Sequence, residues 1–224
     1  MVKIKNGNGR KGYNIRLWNC RRGLLNSDKT STTKMVEVRQ FIESKNLHLL
    51  CLVESDLHSQ FSRILKTNPV NTEDINKVLR VPGYKILLPK SWNIHGQARV
   101  LVFASEDLNI NIRDVGVENS DLPTISCEIG FGREKKTIVN SFYREFTGGV
   151  SGLQDTDSQI NRWSRQLKIW KTLLLGNKDV ICMGDANLCA KKWLDEDYRN
   201  KDLSEMVQTL MLEETVTQLV KENT

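Results

Sequence analysis

Long apolar runs, paired cysteines and closely spaced histidines are all lacking from this sequence of 224 residues. No apolar stretch approaches the roughly 18 residues of a membrane span, and the N-terminal sequence MVKIKNGNGRKGYNIRLW has no apolar segment of a secretory signal. The five cysteines form no CxxC pair, which argues against a disulfide framework and against a zinc site. We therefore expect a nuclear or cytoplasmic protein with reduced thiols and no membrane partner.

The net charge of +6 is distributed unevenly along the chain. Residues 1–16 contain five basic residues and no acid, whereas residues 195–224 contain eight acids and three bases. The segment between them is basic, and a basic body favours a polyanionic partner that is bound through its phosphates. Nucleic acid is one interpretation of this charge, and an ordinary solvated basic surface is the other.

Length and composition fit one large α/β domain without repeats or a low-complexity linker. We predict a flexible basic arm over residues 1–12 and a single domain over residues 13–224. Residues 13–19 alternate as a strand does, residues 32–46 place apolar side chains on one helical face, and residues 47–53 form an apolar run of strand length. This order predicts a βαβ-like unit.

Strand signals dominate the middle of the chain, after short helices and loop predicted over residues 55–80. The strand-like segments are residues 83–89, 98–105, 108–115, 124–131 and 135–146. Because no helix interrupts them, a largely antiparallel half is expected. A helix over residues 157–175, a strand over 179–183 and a final helix over 203–220 follow. The predicted fold class is α/β, a two-sheet β-sandwich flanked by helices.

Polar residues that could carry chemistry follow the predicted strands. They are Asn19, Glu54, Tyr143, Asp185 and Asn187. Strand ends on one edge of a two-sheet protein converge into one cleft, so these side chains are expected to meet. Each one alone has a plainer explanation: a turn residue for Asn19, a helix cap for Glu54, packing for Tyr143, and an Asx-turn for Asp185 and Asn187. Their joint occurrence in this order is the more specific signal.

The order and wording of these blocks resemble the endonuclease/exonuclease/phosphatase superfamily. The blocks are LWNCRRG, LCLVESDL, NSFYREF and MGDANL, and the likeness extends from residue 13 to about residue 192. Within that superfamily, WNCRRGL, FIESKNLHLLCLVES and FYREF are most similar to the endonuclease domain of non-LTR retrotransposons. The resemblance implies a deoxyribonuclease I-like fold.

The sequence departs from the superfamily's pattern in two places. Ala186 replaces the aromatic residue of the family's GDFN block, and the terminal SDH block has no counterpart. We therefore expect a domain that is incomplete at its C-terminus, lacks the last strands with their Asp-His pair, and is weak or inactive by itself. Divergence to a pseudo-enzyme is the alternative.

The resemblance also implies roles for the residues at the strand ends. Glu54 would be a Mg²⁺ ligand with Asn19 beside it, since Mg²⁺ takes one or two carboxylates plus waters and substrate phosphate; Mn²⁺ is a possible substitute. Asp185 would orient or deprotonate the attacking water. Asn187 and Tyr143 would donate hydrogen bonds to the phosphate.

Basic side chains near these positions are candidates for binding DNA. They are Arg144, Arg99, Lys191 and Lys192. Arg144 directly follows Tyr143, and the segment KSWNIHGQAR brings Arg99 together with Trp92 and His95, a mixture suited to base stacking and phosphate contact. Solvated surface and an ordinary hairpin are the plainer interpretations.

The function implied by the resemblance is DNA nicking by a monomeric endonuclease domain, with DNA and the reverse transcriptase region of the same polyprotein as partners. Two alternatives stay open. One is another phosphohydrolase of the superfamily, such as an abasic-site endonuclease or an exonuclease. The other is a catalytically dead DNA-binding module, although a pure binder has no reason to hold acids toward a polyanion.

Overall fold

Two β-sheets packed face to face, with helices on their outer surfaces, form the architecture of this chain. The structure is a computed structural model. It describes residues 2–4, 12–21, 24, 33–58, 77–90, 92, 97–107, 111–115, 122–130, 136–144, 156–176, 179–187 and 201–214. The predicted α/β sandwich is confirmed.

Nine strands and three longer helices make up the described elements. The strands are β1 (Val2–Ile4), β2 (Tyr13–Asn19), β3 (Leu49–His58), β4 (Tyr84–Leu87), β5 (Gln97–Ser105), β6 (Asn111–Asp114), β7 (Thr124–Gly130), β8 (Thr137–Tyr143) and β9 (Asp179–Asp185). The helices are α1 (Thr33–Lys45), α2 (Thr156–Leu174) and α3 (Lys201–Glu213). The first sheet has the strand order β1-β2-β3-β5-β4, and the second has the order β6-β7-β8-β9. None of the described helices is long and apolar enough to cross a membrane.

The predicted βαβ unit is present in the first sheet. Strands β2 and β3 pair in parallel, with Ile15 opposite Leu49, and α1 connects them. The apolar face of α1 is buried against the outer side of this sheet through Met35, Val38 and Ile42. Burial of this face, more than intrinsic helix propensity, stabilises a helix of this length.

A second parallel pair, β8 and β9, is connected by α2 in the other sheet. The apolar stripe of α2 packs its indole rings on this sheet, with the Trp170 ring centroid 4.7 Å from that of Phe142 and 5.5 Å from that of Trp163. Parallel strands place their carboxyl ends at the same edge, so each sheet contributes two strand ends to one side of the sandwich. The remaining pairs in both sheets are antiparallel.

A buried polar network fixes α2 to the second sheet. The fully buried Asn140 side chain donates to the hydroxyl oxygens of Thr124 (2.9 Å) and Ser126 (2.8 Å). Its carbonyl oxygen accepts hydrogen bonds from Trp170 Nε1 (2.8 Å) and Gln166 Nε2 (3.3 Å). Because a buried amide is costly unless its hydrogen bonds are made, this network ties the position of α2 to the sheet that carries β9.

Two predicted segments differ from the structure. Residues 2–4 of the predicted flexible arm form β1, in which Val2 lies opposite Ile15 and Ile4 opposite Tyr13; this edge of β2 offers backbone groups that a neighbouring strand can pair. The strand predicted over residues 47–53 continues to His58. Residues 55–58, predicted as the start of short helices and loop, therefore belong to β3. Residues 5–11 and 59–76 lie outside the described part.

Gly184 is required by the close approach of β9 to β8. A Cβ atom at this position would overlap the Phe142 carbonyl oxygen, which lies opposite it in the parallel ladder. We expect Gly184→Ala to lower the free energy of unfolding by about 3 kcal/mol, because the clash is with backbone that cannot rotate away. Urea unfolding measures the change. In the control Gly130→Ala the nearest atom, Lys136 Cγ at 3.0 Å, belongs to a flexible side chain; equal losses for both variants would refute the explanation.

Candidate active site

The side-chain amide of Asn19 joins two carboxylates that come from different sheets. Its Nδ2 donates to Glu54 Oε1 at 3.0 Å and to Asp185 Oδ2 at 3.2 Å. Glu54 belongs to β3 in the first sheet, and Asp185 ends β9 in the second. Three of the residues predicted from the strand ends therefore meet at one point, where the two sheets face each other.

The turn after β2 fixes the orientation of Asn19. The backbone N–H of Arg21 donates to Asn19 Oδ1 at 2.8 Å, and Arg21 has a left-handed backbone conformation (φ 40°). Lys34 on α1 donates to the carbonyl oxygens of Cys20 and Arg21 and so closes the turn. The sequence predicts Asn19 beside Glu54 at the metal site. In this geometry its oxygen accepts from the backbone and its NH₂ group faces the carboxylates, so Asn19 holds the two acids together.

Glu54 lies in a bulge of β3, which corrects the prediction that the strand ends there. The β3–β5 register passes from Val53 opposite Val100 to Leu57 opposite Ala98, so residues 54–56 face a single residue of β5. Glu54 itself has φ 53°, a conformation that costs a non-glycine residue about 1–3 kcal/mol and that clusters at functional sites. The alternative interpretation, a helix cap, does not apply, since strand and not helix follows.

Ser55 anchors this bulge from inside the protein. Its hydroxyl is fully buried and donates to the Ala98 carbonyl oxygen at 2.7 Å, while its own carbonyl accepts the Leu24 N–H at 3.0 Å. On the other side of Glu54, the Val53 carbonyl accepts the Cys20 N–H at 2.8 Å. The backbone is therefore held on both sides of Glu54, and the carboxylate is presented in a fixed direction.

A tight turn after β9 positions Asp185 and Asn187. Asp185 Oδ1 accepts the Asn187 backbone N–H at 2.8 Å, and Asn187 has φ 48°. This is the Asx-turn considered above as the plainer alternative. It coexists with the predicted site, because the other carboxylate oxygen of Asp185 accepts from Asn19.

Arg144 has a different role from the predicted DNA contact. It is only 7% exposed, and its guanidinium donates to the carbonyl oxygens of Ala186 and Asn187 and to Gln159 Oε1 on α2. The backbone of Arg144 also bonds to this turn. Its N–H donates to the Asp185 carbonyl oxygen, and its own carbonyl oxygen accepts a hydrogen bond from Asn187 Nδ2. Arg144 is thus a buried clamp on the turn, because its five donors match a cluster of carbonyl groups.

Tyr143 completes the predicted set. It is buried at the end of β8, and burial raises the pKa of its hydroxyl. A hydrogen bond with the Asn187 side chain and the charge of Arg99 lower this pKa, whereas the charges of Glu54 and Asp185 raise it. The hydroxyl is therefore protonated at neutral pH and can act as a hydrogen-bond donor at the site.

The remaining predicted DNA contacts divide into three groups. Arg99 lies at the site, with its guanidinium carbon 5.6 Å from the centroid of the Tyr143 ring. Trp92 is buried in the core beneath the first sheet, so its predicted stacking role is incorrect; its large apolar ring is better accommodated there. His95, Lys191 and Lys192 lie outside the described residues.

Asp56 is a site residue that sequence reasoning missed. Its Oδ1 lies 2.9 Å from Arg99 Nη1, and its φ of 47° repeats the left-handed conformation of Glu54 two positions earlier. Two acids separated by one residue would lie on the same face of a regular strand. That spacing was the available signal, but only the bulge shows that both side chains reach the cleft.

A divalent cation fits the donor chemistry of this site. Glu54 and Asp185 present two carboxylates close enough to share one amide, and hard cations such as Mg²⁺ prefer oxygen ligands of this kind together with waters. Within the described ranges, no group of three or more His, Cys, Asp and Glu side chains is arranged to hold a metal ion. Mg²⁺ usually keeps several of its waters, so a site with two carboxylates suits it better than a site in which the protein supplies every ligand.

A two-sheet α/β sandwich with a carboxylate site at its edge is typical of one family of phosphoesterases. The model of the Endonuclease/Exonuclease/phosphatase family matches residues 17–210, and this chain belongs to that family. The predicted superfamily is thereby confirmed. No curated protein sequence matches the chain.

Several solved structures are similar to this chain at low sequence identity, and the first of those described here shows the same fold. The AP endonuclease LMAP from Leishmania major is 14% identical, with a TM-score of 0.58 over 96% of this chain and 71% of that one. An AP endonuclease from Archaeoglobus fulgidus is 14% identical, with a TM-score of 0.48 over 90% and 70%. A D. rerio TDP2 humanised by 14 mutations is 13% identical, with a TM-score of 0.47 over 83% and 70%.

Removal of the Arg144 clamp should loosen the turn that carries Asp185. We expect Arg144→Met to lower the free energy of unfolding by about 2–4 kcal/mol, since it leaves the partly buried carbonyl groups of Ala186 and Asn187 without their donor. Arg144→Lys should recover only part of this loss, because an ammonium group cannot span the same acceptors. Urea unfolding measures both, with Lys168→Met, an exposed cation on α2, as the control. An Arg144→Met variant as stable as that control would contradict the clamp.

Proposed function

We propose that this chain is the endonuclease domain of a non-LTR retroelement and that it nicks DNA by Mg²⁺-dependent phosphodiester hydrolysis. The observation that carries the proposal is the Asn19 amide that joins Glu54 and Asp185 across the two sheets. A protein that only binds a polyanion gains nothing from two converging carboxylates. A hydrolase needs them to hold a cation and to orient water.

The polar groups around the carboxylates suit a phosphodiester. In this proposal the Tyr143 hydroxyl, protonated at neutral pH, and the Asn187 amide donate to the phosphoryl oxygens as negative charge develops there. Asp185 orients the attacking water as its hydrogen-bond acceptor. Glu54 and Asp185 would hold the Mg²⁺ or Mn²⁺ ion, which neutralises phosphate charge when bound.

DNA is the substrate that the overall charge favours. The net charge of +6 suits a phosphate backbone, and the similar structure from Leishmania major is named as an AP endonuclease. The retroelement context rests on the WNCRRGL and FYREF blocks. In this proposal the partner is a reverse transcriptase region of the same polyprotein. The domain acts as a monomer in the nucleus or the cytoplasm.

Full activity in this proposal also requires an Asp-His pair. The family's terminal SDH block has no counterpart in the sequence, and His48, His58 and His95 are not in a matching context. In this proposal the nicking rate rises by roughly 10²–10⁴-fold when an Asp-His pair is present, the contribution typical of a positioned acid-base group.

Abasic-site cleavage is the second candidate, favoured by the likeness in fold to the Leishmania major enzyme. A plasmid assay distinguishes the two when supercoiled DNA is compared with the same DNA after partial depurination. Nicking of intact DNA supports the retroelement endonuclease. Cleavage restricted to depurinated DNA supports the second candidate.

Glu54→Gln should lower the nicking rate with Mg²⁺ by roughly 10²–10⁴-fold, because the amide cannot replace a carboxylate as cation ligand. Supercoiled plasmid conversion measures the rate, both for the chain alone and for the longer polyprotein. Glu37→Gln removes an equal charge from the exposed face of α1 and serves as the control. Unchanged nicking by Glu54→Gln would show that the metal site is wrongly assigned, and absence of metal-dependent nicking from the longer polyprotein would refute the proposed function.

A further inference from the structure

The β3 bulge places two acidic residues opposite Arg99. Residues 54–56 of β3 face the single residue Arg99 of β5, because the register passes from Val53 opposite Val100 to Leu57 opposite Ala98. The Ser55 side chain is buried and bonded to the Ala98 carbonyl oxygen. The other two side chains of the bulge, Glu54 and Asp56, are both acidic. Both have left-handed backbones, with φ 53° at Glu54 and φ 47° at Asp56.

The two acids of the bulge make different contacts. Glu54 accepts from Asn19 on the carboxylate side of the site. Asp56 pairs instead with Arg99, at 2.9 Å between Oδ1 and Nη1. The Arg99 guanidinium in turn lies over the face of the Tyr143 ring, 5.6 Å from its centroid. Asp56 is therefore linked to Tyr143 through Arg99, by an ion pair on one side and a ring contact on the other.

Among the described residues whose charges act on the Tyr143 hydroxyl, Arg99 is the only cation. The groups whose charges or hydrogen bonds act on the Tyr143 hydroxyl are Glu54, Asp185, Arg99 and the Asn187 side chain. An arginine beside two carboxylates reduces their repulsion of an approaching anion. The side chains of Arg99 and Asp56 are 22% and 25% exposed, so the pair is held by the protein and yet open to a ligand in the cleft.

We propose that Asp56 is a positioning residue, which holds the Arg99 guanidinium over Tyr143 so that Arg99 and the Tyr143 hydroxyl together receive one phosphate group of a nucleic acid. The planar guanidinium is suited to phosphate, and stacking on an aromatic face fixes its plane. The backbone strain at Asp56 is then explained, because in the bulge Glu54 bonds to Asn19 while Asp56 pairs with Arg99. The assignment of phosphate as the ligand rests on the proposed function, whereas the positioning of Arg99 by Asp56 does not.

The positioning is tested without any substrate by the ionisation of Tyr143. The protein is labelled with 3-fluorotyrosine, the pH titration is followed by fluorine NMR, and Tyr143→Phe assigns the signal among the four tyrosines. Arg99→Met should raise the pKa of Tyr143, because it removes a cation that lowers this pKa. Glu54→Gln should lower it, because it removes an anion that raises it.

The Asp56→Asn variant is decisive because the two explanations predict opposite signs. If Asp56 holds Arg99 over the ring, its loss releases the cation and the pKa of Tyr143 rises, with no further rise when Arg99→Met is added. If Asp56 acts only through its own negative charge, the pKa of Tyr143 falls, and the proposal is overturned. Asp202→Asn removes the same charge from the exposed face of α3 and should have no effect.

The phosphate ligand is tested by the affinity for a DNA duplex, measured by fluorescence anisotropy at one fixed salt concentration. Removal of an acid should tighten DNA binding if only bulk charge matters. The proposal requires the opposite: Asp56→Asn and Arg99→Met both weaken binding by roughly tenfold or more, the worth of a charged hydrogen bond. Tighter binding by Asp56→Asn overturns the phosphate role.

The two tests separate this inference from the proposed function. A wild-type chain that binds no DNA and a polyprotein that does not nick would refute the proposed function together with the phosphate ligand, while a raised Tyr143 pKa in Asp56→Asn would still establish the positioning. A nicking polyprotein with an unshifted Tyr143 in Asp56→Asn would refute the positioning alone.

Discussion

The proximity of two carboxylates from different sheets is the constraint on which the rest of the site depends. Glu54 and Asp185 carry like charges, and the low-dielectric edge of a protein strengthens their repulsion. The single NH₂ group of Asn19 bonds to both and holds them together. Its own oxygen is fixed by the Arg21 backbone, so the amide cannot rotate without losing a bond. An arrangement of this kind is poised for a cation, which would satisfy both acids more strongly than an amide does.

The hydrogen bonds around these acids fix the backbone of the segments that carry them, in addition to their side chains. Left-handed residues occur just after the ends of two strands, at Arg21 and Asn187, and within the β3 bulge, at Glu54. Each is stabilised by hydrogen bonds to neighbouring groups. Arg144 and Lys34 contribute their cations to backbone carbonyls instead of to a substrate. Basic residues near a site of this type therefore divide into clamps on the backbone and candidates for ligand contact.

Much of this organisation could be predicted from the sequence because it depends on local pattern. Alternation located β2, the apolar run located β3, and polar residues at the ends of strands identified the members of the site. The β3 bulge could not be predicted, since nothing in LCLVESDLH marks a change of register that depends on pairing with β5. Burial of Arg144 and Trp92 was equally hidden, because it depends on α2 and on the core beneath the first sheet. Strand β1 was missed for a similar reason, since it depends on pairing with the edge of β2.

The most direct test of the central claim is the binding of Mn²⁺, measured by electron paramagnetic resonance on the protein without DNA. The account predicts a site that is abolished by the double substitution Glu54→Gln with Asp185→Asn. It also predicts that Asn19→Ala leaves the ion bound, since the amide holds the acids together but does not ligate. Unchanged Mn²⁺ affinity in the double variant would contradict the account, because the two carboxylates would then not form a cation site.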